Sequence, residues 1–169
     1  MRNLKYFLLL VTALTSLSLI TVRTSRLSES INPGDPIPDI KNLENVSGET
    51  MSLSDLKGQK VLVNFWAAYD ANSRRDNVLF SKLTGDEDSP IKMVSVSFDK
   101  SKSVFERTVT VDEVDEDGQY YVQANTHSAL VELYKLDHGF KNFLVDESGT
   151  ILEVNVSPEQ LSQHLTREK

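Results

Sequence analysis

The clearest hydrophobic pattern in this chain is a short apolar run followed by an amphipathic segment. Residues Lys60–Phe65 are apolar apart from the first residue and Asn64, and a run this short is typical of a buried central strand. The following segment, Ala71–Leu83, places apolar residues at helical spacing. Asp70 directly precedes that segment, and a carboxylate there accepts hydrogen bonds from the first free N–H groups of a helix. We therefore predict a strand, a turn and a helix with Asp70 as its N-cap.

The pattern continues with a second strand and two further helices. Residues Ile91–Phe98 alternate as a strand does, and Ser103 with Glu106 has the capping-box spacing that starts a helix. A short strand is predicted at Tyr120–Gln123, and a helix capped by Asn125 or Thr126 follows it. The first two strands, joined through a helix, should be parallel with a right-handed crossover.

The C-terminal part predicts a hairpin and a last helix. Phe143–Val145 and Thr150–Val156 are strand-like and are separated by a tight turn, which favours an antiparallel pair. Ser157, with proline next and Gln160 three residues on, is typical of a helix start, and this helix extends to Leu165. The elements together predict an α/β sandwich with a mixed central sheet and helices on both faces.

The N-terminal region has a different pattern from the rest. Arg2 and Lys5 precede the uncharged, mostly apolar stretch Phe7–Val22, which is the pattern of an export signal. Two alternatives stay open: a cleaved signal peptide, or an uncleaved membrane anchor at the short end of spanning length. We divide the chain into residues 1–26, the signal or anchor, and residues 27–169, one domain. We expect export to the cell envelope, in the periplasm or on the outer face of the cytoplasmic membrane.

Composition removes several classes of function. The chain contains no cysteine, which excludes disulfides, thiolate–zinc sites, iron–sulfur clusters and dithiol exchange by this chain alone. Its formal net charge of −7 and lack of a basic cluster argue against a nucleic-acid partner. We predict no metal site and no cofactor.

Several phrases together resemble the thioredoxin-like superfamily, in particular its exported thiol–disulfide reductases and redoxins. The similar phrases keep the family's order and spacing from about Ile31 to Leu165, and they are Gly34–Asp39, Gly48–Gly58, Val61–Ala67, Val94–Asp99 and Phe143–Ile151. The resemblance implies a thioredoxin-like fold and an oxidoreductase ancestry for this domain.

The departures from the family pattern fall on its redox site. Aligning on Trp66 places the two family cysteines at Asp70 and Ser73, while the arginine that follows is kept as Arg74. Aligning on the hairpin places the family's cis-proline at Phe140, where we expect an ordinary trans peptide bond. Both parts of the family's dithiol site have therefore changed.

We predict a partner-binding cleft and assign no catalytic residue. Asp70, Ser73 and His138 match a hydrolytic triad by residue type only, which is not sufficient to predict one. The residues expected to line the cleft are Trp66, Tyr69, Asp70, Asn72, Ser73, His138 and Phe140.

Three functions stay open for this cleft and its domain. The first is an envelope protein without dithiol chemistry that binds a protein or peptide, with the membrane a second partner if the N-terminal segment is uncleaved. The second is an oxidoreductase of the thioredoxin or redoxin type, thiol–disulfide or antioxidant, that acts through the thiols of a partner. The third is a structural accessory subunit of an envelope complex. Whether the chain is an enzyme stays open.

Overall fold

The computed structural model of this protein describes residues 31–167. The predicted signal or anchor at residues 1–26 lies outside the described residues. None of the helices within the described part of the chain is long and apolar enough to cross a membrane.

Strands and helices follow the order that the hydrophobic pattern predicts, with two short strands added before the first predicted one. The strands are β1 (Leu43–Asn45), β2 (Thr50–Met51), β3 (Lys60–Trp66), β4 (Ile91–Ser97), β5 (Gln119–Tyr121), β6 (Asn142–Val145) and β7 (Ile151–Val154). The helices are α1 (Ala71–Thr84), α2 (Lys102–Asp112), α3 (His127–Tyr134) and α4 (Pro158–Arg167). Short 3₁₀ turns occupy Leu53–Leu56, Glu116–Gly118 and Ala124–Thr126.

The strands form one mixed sheet of seven strands in the order β2-β1-β5-β4-β3-β6-β7. The pairs β3–β4 and β4–β5 are parallel, whereas β6 pairs antiparallel with both β3 and β7. The parallel unit and the antiparallel hairpin predicted from the sequence are both confirmed. The sheet places the carboxyl ends of β3 and β4 side by side, and the β3–α1 turn emerges there.

The two faces of β3 pack against different helices, because successive side chains of a strand point in opposite directions. Val63 and Phe65 pack in one core cluster with Leu130 and Tyr134 of α3. On the opposite face, Leu62 packs in a second cluster with residues of α1 and α4, and Trp66 packs with residues of α2. Helices on both faces were predicted, and the structure confirms them.

A buried row of polar side chains crosses the sheet between the two apolar clusters on the α1 face. Asn64 pairs in register with Ser95 on one side and Asn142 on the other, and Ser95 pairs with Gln119. Asn64 donates to Ser95 Oγ at 2.9 Å, and Ser95 Oγ donates to Oδ1 of Asn77 in α1 at 2.5 Å. Asn77 and Gln119 then exchange two bonds, at 3.1 and 3.2 Å. The row ties α1 to strands β3, β4 and β5.

Of the four predicted helix starts, those of α1 and α4 are confirmed, that of α3 is right in position but lacks its capping bond, and that of α2 is wrong. Helix α2 begins at Lys102 rather than at the predicted capping box, because the Ser103 hydroxyl pairs with the Ser101 hydroxyl at 2.7 Å. Thr126 precedes α3 but donates its hydroxyl back to Gln123 O, so it caps no helical N–H. At α4, Ser157 and Gln160 form the expected reciprocal capping bonds.

Candidate functional site

The candidate site lies where the carboxyl ends of β3 and β4 meet the loop before β6. The turn Ala67–Asp70 connects β3 to α1 and projects from this edge. Residues 135–141 form the facing loop, and the peptide bond before Phe140 is trans, as predicted.

Asp70 is the N-cap of α1, as the sequence predicts. Its Oδ1 accepts the Ser73 N–H at 2.8 Å, and its carbonyl oxygen accepts the Arg74 N–H at 3.0 Å. The positive end of the helix dipole also favours a negative charge at this position. Asp70 therefore has a complete structural role at the position of the family's first cysteine.

Ser73 was predicted to line the cleft, but its side chain is directed into the turn. The residue is only 7% exposed. Its hydroxyl donates to Asp70 O at 3.3 Å and accepts the Ala67 N–H at 3.4 Å. A hydroxyl held in this way supports the start of the helix and is not presented to a ligand.

Trp66 was also predicted to line the cleft, and it is instead a core residue. The side chain is completely buried and packs with Phe105 and Val109 of α2, its ring centroid lying 6.4 Å from that of Phe105. Its indole N–H has no hydrogen-bond partner among the described residues. The sequence motif places a tryptophan at this position but does not show whether its side chain faces the cleft or the core.

A row of four aromatic rings runs through the site, from the exposed Tyr69 to rings that are partly or fully buried. Tyr69 is 73% exposed and lies 6.3 Å, between ring centroids, from the half-buried Phe140. Phe140 meets the buried Phe98 edge-on at 5.5 Å, and Phe98 stacks on His127 at 4.7 Å. We call Tyr69, Phe140, Phe98 and His127 the aromatic row. Phe98 and His127 were missed from the sequence, because only the fold brings the end of β4 and the start of α3 together.

Two polar residues predicted for the cleft, His138 and Asn72, are exposed. His138 has a side chain that is 90% exposed and lies 3.1 Å from the Asp137 carboxylate. Among residues 31–167 it makes no hydrogen bond to Asp70 or Ser73. Asn72 is exposed on the first turn of α1. The structure therefore does not assemble a triad from these residues.

The retained arginine has a structural partner. Arg74 donates from Nε and Nη2 to the two carboxylate oxygens of Asp112, at 2.7 and 2.5 Å. The hydrogen bond to Asp112 raises the pKa of Arg74 above its ordinary value. These two parallel bonds connect α1 to the end of α2. The guanidinium of Arg74, the cation closest in sequence to Asp70, is therefore paired with Asp112.

Tyr69 lies in a negative local field. Partial burial raises the pKa of its hydroxyl, and the carboxylates of Asp99 and Asp70 raise that pKa further. The hydroxyl is therefore a neutral hydrogen-bond donor at physiological pH. An exposed ring with a polar tip is well suited to a binding surface, because it supplies apolar area and a hydrogen bond together.

The fold and the site together define a protein with a thioredoxin-like domain whose dithiol positions are occupied by a helix cap and a buried serine. The profile of the AhpC/TSA family matches residues 33–154. The chain belongs to the AhpC/TSA family.

Two curated relatives share parts of the sequence. The chain is 36% identical over 74 residues to the thioredoxin-like protein YneN of Bacillus subtilis, covering 44% of this chain and 43% of YneN. It is 27% identical over 125 residues to the thiol-disulfide oxidoreductase ResA of Oceanobacillus iheyensis, covering 72% of this chain and 63% of ResA. The matches thus span less than two thirds of the length of either relative.

Solved structures agree with the fold. A thioredoxin-like protein from Parabacteroides distasonis is 35% identical with a TM-score of 0.67, and the match covers 81% of this chain and 96% of that one. The thioredoxin domain of a thiol-disulfide oxidoreductase from Bacteroides vulgatus is 24% identical with a TM-score of 0.72, covering 82% of this chain and 99% of that one. The second likeness supports the fold alone.

Proposed function

We propose that this protein is a thioredoxin-fold component of the cell envelope that has no dithiol chemistry and binds a protein or peptide partner through the aromatic row. The observation that carries the proposal is Tyr69, which is 73% exposed at the tip of a turn that the rest of the fold holds in place. Large aromatic residues, tyrosine among them, are enriched in protein interfaces and among the residues that carry most of the binding energy.

The lack of dithiol chemistry rests on the atoms available at the site. Thiol–disulfide exchange begins with attack by a thiolate, and the chain has no sulfhydryl group. The carboxylate of Asp70 is committed to the Ser73 N–H. Turnover would therefore have to use thiols of a partner, which is the alternative function that stays open.

An insulin-reduction assay separates these two functions. We expect the purified wild-type protein not to catalyse insulin reduction. The thiol reductant is kept at a concentration that does not reduce insulin by itself. The double variant Asp70→Cys/Ser73→Cys is the matched positive control, since it restores two thiols at the start of α1. Clear catalytic turnover by the wild-type protein alone would contradict the proposal.

A site-specific crosslinking experiment tests the binding surface. A photo-reactive phenylalanine analogue replaces Tyr69, and in a matched control the same analogue replaces Val111, which is 63% exposed on α2. We expect a defined adduct with an envelope protein or peptide from position 69 and not from position 111. We expect Phe140→Ala to weaken that adduct, because Phe140 supports the Tyr69 ring. Identical adducts from both positions, or none from position 69, would refute the surface.

The envelope location is part of the proposal and is supported by the charged and apolar pattern of residues 1–26. Fusing these residues to a β-lactamase that lacks its own signal tests export, since the enzyme protects cells only outside the cytoplasm. Alkaline carbonate extraction of membranes then separates a cleaved signal from an anchor. A fusion that gives no resistance to β-lactams would contradict the envelope location. It would not bear on the binding surface, which the crosslinking experiment tests separately.

A further inference from the structure

A buried carboxylate lies directly beneath the turn that carries Tyr69. Asp99 follows β4 and is only 2% exposed. Its two oxygens accept the Ala68 N–H at 3.0 and 3.2 Å, and Oδ2 also accepts the Ser97 hydroxyl at 2.9 Å. Within residues 31–167 no cation forms an ion pair with it. At longer range its charge also acts on Arg74. A carboxylate is costly to bury unless it is paired or hydrogen-bonded, so the role of these hydrogen bonds needs an explanation.

The explanation lies in how the turn is built. The Asp70 N–H donates to Ala67 O at 3.1 Å, which closes a four-residue turn with Ala68 and Tyr69 at its centre. The Ala67 N–H is satisfied by Ser73 Oγ at 3.4 Å. Asp99 satisfies the Ala68 N–H, which belongs to the residue immediately before Tyr69. Together these bonds connect the turn to the start of α1 and to the residues that follow β4.

The same end of β4 supports the other side of the surface. Phe98, the neighbour of Asp99, contacts both Phe140 and His127 through its ring. The Phe98 N–H donates to Trp66 O at 2.8 Å, which locks the ends of β3 and β4 together. Residues 98 and 99 therefore hold two parts of the aromatic row that are far apart in sequence.

We propose that Asp99 is the positioning residue of the binding surface: its carboxylate clamps the Ala68 N–H and so presents Tyr69 outward at the tip of the Ala67–Asp70 turn. This inference rests on the proposed function for its purpose but not for its geometry. A clamped aromatic ring is already ordered before a partner arrives, so less conformational entropy is lost on binding. Asp99 contacts no partner itself in this role.

Amide hydrogen exchange and ¹⁹F NMR test the clamp without any partner. Asp99→Ala should raise the exchange rate of the Ala68 amide about tenfold to hundredfold relative to wild type, the range expected when a hydrogen bond to a charged group is lost. With 3-fluorotyrosine incorporated, the Tyr69 signal, assigned by its loss in Tyr69→Phe, should narrow and move toward the position of a mobile tyrosine.

Conservative variants separate positioning from a general loss of structure. Asp99→Asn keeps one acceptor oxygen and should retain most of the Ala68 protection and the wild-type Tyr69 signal. Asp99→Ser is polar but about one bond too short to reach the amide, so it should behave as Asp99→Ala does, and it replaces that variant if alanine prevents folding. Ser97→Ala removes a neighbouring bond to the same carboxylate but leaves the bond to Ala68, so it should change the Tyr69 signal less than Asp99→Ala does.

Unchanged Ala68 exchange in Asp99→Ala and Asp99→Ser would overturn the proposal, and so would equal loss of protection in Asp99→Asn. Failure of the proposed function has a different signature. There the crosslink from position 69 is absent, while the exchange and ¹⁹F responses to Asp99 substitution still appear as expected.

Discussion

The buried tyrosine of α3 allows the fold to be tested by its response to alkaline pH. Tyr134 is completely buried, and its hydroxyl donates to the carbonyl oxygen of Pro38 in the N-terminal extended segment. Burial raises the pKa of Tyr134 far above its ordinary value, and the charge of Asp39 raises it further. The perturbation is Tyr134→Phe, which keeps the ring and removes the hydroxyl.

The direction and size of the effect follow from proton linkage. Below about pH 10 the hydroxyl is protonated in both the folded and the unfolded state, and its contribution to stability is complete. Above that pH the unfolded chain releases the proton while the folded protein keeps it. The free energy of unfolding should then fall by about 1.4 kcal/mol for each pH unit on account of Tyr134 alone.

The variant should therefore cross the wild-type protein in stability. At neutral pH, loss of the bond to Pro38 should lower the free energy of unfolding by about 1 kcal/mol. Because the variant lacks this alkaline loss of stability, the free energies of unfolding of the two proteins should become equal about 0.7 pH units above the tyrosine reference, at about pH 10.7.

Urea unfolding followed by fluorescence of Trp66, the single tryptophan, measures this difference. Subtracting the free energy of unfolding of the variant from that of the wild-type protein cancels the contributions of the other titrating groups. These include Tyr69 and Tyr120, whose pKa values are also raised. Tyr120→Phe is the matched control, and since that ring is only half-buried its dependence should be weaker. A stability difference that stays constant between pH 8 and pH 11.5 would refute the reasoning.

Three further sets of substitutions test the supports of the site by urea unfolding. Asp70→Ala should cost about 1 kcal/mol through loss of the helix cap, while Asp70→Ser should cost only a few tenths; equal losses would contradict the capping role. A double-mutant cycle of Arg74→Ala with Asp112→Ala should give a coupling energy of about 1 kcal/mol that shrinks with added salt, and additive losses would contradict the pairing. Asn77→Ala should cost about 2–4 kcal/mol, because it leaves Ser95 and its other partners buried without their bonds, and a loss below about 1 kcal/mol would contradict the buried row.

Predictions from the sequence succeeded where the deciding interactions are local. Strand β3, helix α1 and the Asp70 cap depend on residues within a few positions of one another, so their pattern is visible in the chain itself. The capping box at Ser157 is local in the same way. The predicted start of α2 was wrong because Ser101 is the N-cap residue, its carbonyl oxygen accepting the N–H groups of Val104 and Phe105, while the Ser103 hydroxyl bonds to that of Ser101.

The sequence by itself determined that no thiol stands at this site and that Asp70 caps the helix. It also determined that strands and helices follow one another in the order of a thioredoxin-like domain. Only the tertiary structure decided which of these residues are available to a partner. Trp66 and Ser73 lie beneath the surface because α2 and the turn cover them. The contacts of the aromatic row and of the Asp99 clamp join residues that are about thirty or more positions apart in the sequence. Contacts between residues so far apart in the chain depend on which strands the fold places side by side.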